Sequence, residues 1–393
     1  MLLNVNGAKS AILKHVRRLH PIRLPLMKAI GHVLADDIYA NVDIPAFKQS
    51  SMDGYAIRFE DRSESLSVIG EMAAGTNFEL SISNAEAARI FTGAPLPEGA
   101  DTVVMQEKVS VDVGKLTIQD PFLKQGLNTR EKGSEVKAGA MAITKDTYLT
   151  PAALGFLAGI GETDVLVYPM PKVGIILTGK ELQRPGLPLA AGQVYESNSY
   201  SLGAALSKAG VHEISVYFAD DDLITLKNIL AEAIAANDIA VLTGGVSVGD
   251  YDFVVEAAKL CGVEKIFHKV KQKPGKPLYF GTFENKLIFG LPGNPSSVLN
   301  CYYQFVLPAV EAISGRAIKE RLIEAVLEIA YEKSVGLTHF VKAIYHDGYV
   351  SPLGAQESFR MSSFANANCM IRLEEDRVSY SAGEKVQVYL LPE

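Results

Sequence analysis

The stretch IAVLTGGVSVGDYD, Ile239 to Asp252, runs from a continuous apolar segment into a loop of glycines and hydroxyls that closes on aspartates. An apolar run of this length bounded by glycine reads as a strand buried on both faces. The loop poses a chemical conflict. Small residues let backbone N–H groups approach an anion, whereas carboxylates repel one. A phosphate ester or anhydride accompanied by a hard divalent cation satisfies both, because the cation lies between phosphate and carboxylate.

The same alternation extends in both directions. VGIIL (173–177) is a second apolar run, opening into Thr178-Gly179; Ser197-Asn198-Ser199 then offer helix caps, Leu202, Leu206 and Ala209 share one face, and Gly210 supplies the stop. ISVYF (214–218) reads as a strand ending at Asp220, and Leu223, Leu226, Leu230, Ala233 and Ile234 follow at helical spacing. A helix from about Phe253 to Cys261 stops at Gly262, a strand is expected around 286–289, and Asn294 precedes a helix with Pro295 in its first position. Strands alternating with helices predict a doubly wound parallel sheet over residues 171–316. Ligands of such sheets bind beyond the carboxyl ends of the strands, where Thr178, Asp220 and Thr243 to Asp252 fall.

The flanks carry other patterns. Short apolar runs between Leu66 and Ile118 predict a β-rich lobe, with one short helix at 85–91. Ser10 to Tyr39 reads as mainly helical, as does ALGFLAG (153–159). After Gly315 the pattern is β-rich, with Asp347-Gly348 as a hairpin turn.

Composition excludes several classes. The chain has 393 residues, and 45 acidic against 38 basic side chains leave a net charge of −7, so no global basic field draws it to nucleic acid. Three scattered cysteines fit neither a disulfide framework nor a zinc site. No apolar run reaches the roughly 20 residues of a membrane helix. A soluble, cytoplasmic protein is expected. The seven histidines form no HExxH pattern, and the glycine loop lacks the Lys of a P-loop.

Each remaining motif has a plain reading: TGGVSVG as a tight turn, DDDL as a solvated helix cap, KQKPGKP as a charged hairpin, SMDGYA as a turn. Together they have a chemical logic. Neutral donors and Lys273 and Lys276 suit phosphate, while Asp220, Asp250 and Asp252 suit Mg2+ between phosphates.

SMDGYA, FTGAPLPEGADTVVMQE, REKGSEVKAG, TGKEL, VYESNS, TGGVSVGDYD, KPGKPLYFG and GLPGNPSSV stand in this order along the chain. In this series the chain resembles the molybdopterin molybdenumtransferases of the MoeA family, which includes the gephyrin E domain. The resemblance implies a homodimer of four-domain subunits: a helical and extended dimerisation domain (1–45 with 137–170), an inserted β lobe (46–136), a MoaB/Mog-like molybdopterin-binding α/β domain (171–316) and a C-terminal β-barrel (317–393). It implies insertion of molybdate into adenylylated molybdopterin with release of AMP, dependent on Mg2+, and transient contact with the molybdopterin adenylyltransferase. Two alternatives stand beside it, an adenylyltransferase and a gephyrin-like scaffold without turnover.

Carried over by position, the resemblance assigns Asp53, Thr92, Glu135, Glu196, Asp220 and Asp252 to catalysis, with Asp220 and Asp252 also holding the metal. Thr178, Ser197, Gly244, Gly245, Ser247, Gly249, Lys273, Lys276, Pro292, Pro295, Lys342 and Ser358 are assigned to substrate. Lys273, Lys276, Lys342 and Ser358 are expected to hold molybdate. The chain departs from the family at Lys342, where relatives often carry Arg, and at Glu135, where Asp is common. Arg360 is a candidate either to replace the lost guanidinium or to be a surface residue.

Overall fold

A computed structural model describes residues 2–75, 79–245, 253–318 and 321–392. They divide into two compact units: Arg23–Ile30 with Leu34–Val167, and the remainder of the described chain.

The larger unit is built on a six-stranded sheet, with β1 (Val173–Thr178), β2 (Ile214–Ala219), β3 (Ile239–Thr243), β4 (Glu264–His268), β5 (Tyr279–Phe283) and β6 (Lys286–Leu291). Their spatial order is β2-β1-β3-β6-β5-β4. The first four are parallel; β5 is antiparallel to β6, and β4 to β5. Period-two alternation sends Val173, Ile175, Leu177, Ile239 and Val241 to one face, where Leu202 and Leu206 of the helix Asn198–Lys208 cover them. Ile176, Ala240 and Leu242 go to the other, under Leu226, Leu230, Val254 and Ala257 of the helices Leu223–Ala236 and Phe253–Leu260. Both faces are dry, which is why the strands read as continuous apolar runs. Full burial of such a side chain contributes roughly 1.5–3 kcal/mol.

The C-terminal part closes as a barrel of β7 (Leu322–Leu327), β8 (Thr338–His346), β9 (Tyr349–Pro352), β10 (Cys369–Leu373) and β11 (Lys385–Leu390), ordered β8-β9-β7-β11-β10 and back to β8. Asp347 and Gly348 join β8 to β9 with φ of 46° and 88° at the two central positions, the turn expected of Asp-Gly. The short strand Gln272–Lys273 of the α/β region adds to β8 by parallel pairing, Gln272 opposite Thr338.

The smaller unit contains a six-stranded lobe of Gly54–Ile57, Leu66–Met72, Glu86–Ile90, Thr102–Met105, Val109–Asp112 and Lys115–Ile118. Two expectations fail in these flanks. The segment 85–91 forms a strand, Glu86–Ile90, within the sheet. Its alanines favour helix in isolation, but Ala87 and Ala88 are fully buried in the sheet, Ala87 within one of the lobe's apolar clusters, so packing overrides propensity. Ser10 to Tyr39 is not mainly helical: the helix Val5–His15 ends before Pro21, and short strands and a 3-10 turn follow. Pro21 and Pro25 remove backbone donors that a continuing helix needs.

Candidate active site

Strands β1, β3 and β6 end at Thr178, Thr243 and Leu291, and beyond these ends lies a cleft of about 1500 Å3. Gly244 and Gly245, which leave β3, have φ of 85° and 65°. A Cβ on Gly244 would stand 2.5 Å from the carbonyl oxygen of Thr178, and one on Gly245 would stand 3.1 Å from Thr178 Oγ1. Only glycine fits the first position, because backbone left-handedness and a backbone clash coincide there. Thr178 itself is buried, and its hydroxyl donates to the carbonyl of Thr243.

Glu196 lines the cleft but also caps a helix. Its carboxylate accepts from the backbone N–H of Ser199 at 2.6 Å and from the Ser199 hydroxyl at 2.7 Å, so the helix Asn198–Lys208 begins at the cleft wall. Ser197 is exposed beside it. Asn198 donates to the carbonyl of Gly293, and its Oδ1 is buried without a partner among the described residues. Thr243 Oγ1 and Gln272 Oε1, also on the cleft, are buried and unpartnered in the same sense. Pro292 to Pro295 line the opposite approach, where the helical run that continues to Ile313 starts.

Lys273 and Lys276 are exposed on the cleft, at the two ends of a turn fixed from below. Gln272 donates to the Gly275 carbonyl and Asn300 to the Pro274 carbonyl, while a Cβ on Gly275 would lie 2.6 Å from Cys301 Sγ. The lysines are therefore exposed ends on a base held by side-chain hydrogen bonds. Two further basic residues were not foreseen. Lys333 and His339 line the same cleft from the barrel side, both nearly buried. Burial first, then the charges of Lys333 and Lys273, push the imidazole of His339 down to about 4, so it is neutral at neutral pH. Neither residue sits in a glycine-rich or acidic motif, and no sequence signal marked them.

The loop Ala355 to Phe359 forms the remaining wall. Ser358 is tied to the helix start: its hydroxyl accepts from Asn294 Nδ2 at 2.8 Å, and its carbonyl accepts from the N–H of Ser296 at 3.1 Å. Lys342 does not line the cleft. It is 2 % exposed, and its ammonium donates to the carbonyls of Ala355 at 2.9 Å, Arg360 at 3.1 Å and Glu357 at 3.4 Å. Those three bonds use all three of its donors. Its ammonium thus holds the loop that carries Ser358. Arg360 is exposed, paired with Glu357 at 3.1 Å, and is likewise not part of the cleft lining.

Asp220 is exposed at the end of β2, and the cleft lining takes its neighbour Asp221 instead. Asp222 caps the next helix by accepting from Thr225 N–H at 2.9 Å. Among the described residues no three His, Cys, Asp or Glu side chains are grouped to hold a metal. Ser247, Gly249, Asp250 and Asp252 lie outside the described residues. In the smaller unit Asp53 and Thr92 meet, a contact that the sequence reading did not specify. Asp53 accepts from both the N–H and the hydroxyl of Thr92 at 2.8 Å, and those two bonds hold its carboxyl below the usual range. Glu135 is exposed, its N–H bonded to the Ile44 carbonyl.

Comparison with known proteins now adds to this geometry. Residues 3–161 match the MoeA N-terminal region (domain I and II), 174–312 a probable molybdopterin binding domain, and 324–391 the MoeA C-terminal region (domain IV). The chain belongs to the MoeA family. A molybdopterin molybdenumtransferase of Haemophilus influenzae is 36% identical to this MoeA chain over 375 residues, covering 93% of the chain and 92% of that protein. One from Staphylococcus aureus (strain COL) is 34% identical over 399 residues, covering 98% and 95%. A solved molybdopterin biosynthesis moeA protein from Pyrococcus horikoshii OT3 superposes with a TM-score of 0.83 at 30% identity, over the whole of both chains. The doubly wound domain and closed barrel are thus those of MoeA. Among the described residues no helix is long and apolar enough to cross a membrane.

Proposed function

We propose that this MoeA-family chain is a molybdopterin molybdenumtransferase, inserting molybdate into adenylylated molybdopterin with release of AMP in molybdenum cofactor biosynthesis. The observation that carries the reading is the set of buried, unpartnered polar atoms on the cleft, Asn198 Oδ1, Thr243 Oγ1 and Gln272 Oε1, beside the lysine turn. Orphaned polar atoms at a strand-end cleft call for a ligand that hydrogen-bonds as well as carries charge. An adenylylated pterin has ring donors for Asn198 and Gln272 and phosphates for Lys273 and Lys276.

In this reading Lys273, Lys276 and Ser358 hold the tetrahedral oxyanion, with Lys342 fixing the wall that presents Ser358. Mg2+ is bound in many sites by one or two carboxylates plus substrate phosphates, and it keeps several waters. Asp220, exposed at the end of β2 next to the cleft-lining Asp221, is one expected ligand of such a shared site and Asp252 the second. When present, the cation offsets phosphate charge. A homodimer, in which Asp53, Thr92 and Glu135 of one protomer face the cleft of its partner, completes the proposal.

The test is AMP release from adenylylated molybdopterin with and without molybdate and Mg2+, followed by molybdenum analysis of the pterin product. Release that needs both, with molybdenum retained, supports the transferase. Unchanged molybdate dependence in Lys273→Ala and Lys276→Ala would refute the oxyanion assignment.

A further inference from the structure

The helix Val5–His15, the helical turn around Gln304 and strands β10 and β11 border a second cavity of about 220 Å3, which shares no lining residue with the cleft. Three cationic side chains converge on it: Lys9, Arg321 and Arg372. Two carboxylates answer them. Glu311 pairs with Arg321 at 2.5 Å, and Glu374 stands 3.2 Å from Arg372 Nε. The third cation has no carboxylate among the described residues. The ammonium of Lys9 donates to Gln304 Oε1 at 2.9 Å and lies 6.0 Å from the centre of the Tyr389 ring. Burial and the nearby charge of Arg372 pull Lys9 down to about 8. One positive charge is therefore held here against its preference.

Two polar atoms of the same wall are left over. Gln304 is 1% exposed, and with Oε1 engaged by Lys9 its Nε2 is a buried donor without a partner among the described residues. Arg372 Nε is also buried and lacks a well-directed acceptor, despite its proximity to Glu374. Gln304 sits in a π turn, Tyr302–Val306, a local widening of the helix that recurs at functional sites. All the unmet needs are donor or positive, so the missing component is an acceptor with negative charge. Ile12, Leu13, Phe305, Pro308 and Leu322 make much of the remaining wall apolar, with Asn6 as a further polar residue on it. The volume is below the roughly 300–1,000 Å3 of pockets for drug-sized ligands.

We infer that this cavity is a second ligand site, for a small amphiphilic carboxylate whose head meets Lys9, Gln304 and Arg372 and whose short apolar body lies against the Ile12 and Phe305 side. The site is separate from the transferase cleft and does not depend on that assignment.

Hexanoate, hexanol and inorganic phosphate are the probes, titrated into the full-length protein by calorimetry. Hexanoate is expected to bind saturably at one site per chain, with hexanol and phosphate at least tenfold weaker. Lys9→Met is expected to weaken hexanoate at least tenfold while AMP release stays unchanged. A second readout avoids the variant. In wild-type protein carrying 13C-methylated lysines, the Lys9 signal is expected to titrate near pH 8 and to move upward with hexanoate. Absence of saturable hexanoate binding, equal binding of hexanol or phosphate, or an unmoved Lys9 titration would each overturn the inference.

Discussion

Replacing Lys342 separates two roles that a buried cation near an oxyanion site can have. Its ammonium donates to three carbonyls, but these are not equally dependent on it. The carbonyls of Ala355 and Arg360 also accept from the Ser363 hydroxyl, at 2.7 and 3.3 Å. The Glu357 carbonyl keeps only the bond from Arg360 N–H at 3.1 Å. Lys342→Met preserves the volume, so its cost comes from three lost charge-assisted bonds, each partly covered by a remaining donor. A net loss of about 2–4 kcal/mol in the local stability of the loop follows. At about 1.4 kcal/mol per tenfold, that is a roughly 30- to 700-fold larger open population, and exchange faster by the same factor. Amide hydrogen exchange of peptides covering 353–363 in ligand-free protein reads this directly, with Arg360 N–H and Leu353 N–H as the protected positions.

Lys342→Arg sharpens the comparison. A guanidinium is larger than the ammonium it replaces, and the site is 2 % exposed, so the substitution overpacks it and is expected to raise exchange as well. Were Lys342 an oxyanion ligand, Arg would strengthen molybdate binding through bidentate contact. Exchange that matches wild type in Lys342→Met, accompanied by lost molybdate dependence, would refute the clamp.

Two other perturbations test the cleft. Gly244→Ala places a methyl group 2.5 Å from the Thr178 carbonyl at φ 85°, so a loss of roughly 1–3 kcal/mol in denaturant unfolding is expected, with turnover abolished or severely reduced; wild-type stability would mean that the loop after β3 can be rebuilt. His339 has a folded pKa of about 4 against a usual 6.5, so the unfolded chain binds the proton first on acidification. The stability this contributes is complete above pH 6.5 and is lost as pH falls from 6.5 to about 4. Histidine NMR should show a neutral ring at pH 5.5, and added molybdate, by screening Lys273 and Lys333, should move its titration upward; a ring already protonated at pH 6 would contradict the described burial.

The α/β region was readable because its two apolar layers are complete. Val173, Ile175 and Leu177 face one layer and Ile176 the other, so a run with no polar interruption had one interpretation. Where one residue type serves two structures, sequence misled. Ala87 and Ala88 favour helix by propensity but form a strand, paired on both sides and fully buried in the lobe's sheet. The glycine motif located the Gly244-Gly245 turn, because positive φ at both positions is chemistry that few residues supply, whereas the Asp53–Thr92 pair joins two separate motifs and only folding shows it. Lys333 and His339 came from a distant barrel segment, and only folding brings them to the cleft.

The lysines show where such reading stops. Lys273, Lys276 and Lys342 are one residue type, and a motif treats their charges alike. The fold divides them by exposure. Lys273 and Lys276 project from a turn whose backbone is pinned by Gln272 and Asn300, so their ammonium groups stay solvated and available to an arriving anion. Lys342 spends its three donors on carbonyls and has none left to offer. Desolvation lowers the pKa of Lys342, because burial disfavours the charged form, and the carbonyls are the polar partners that offset the cost of burying its ammonium. The loop supplies the carbonyls only while it holds its bent course, with Ala355 at φ 58°. Charge and loop therefore support each other: the loop's carbonyls satisfy the buried ammonium, and Lys342 holds the loop that carries Ser358.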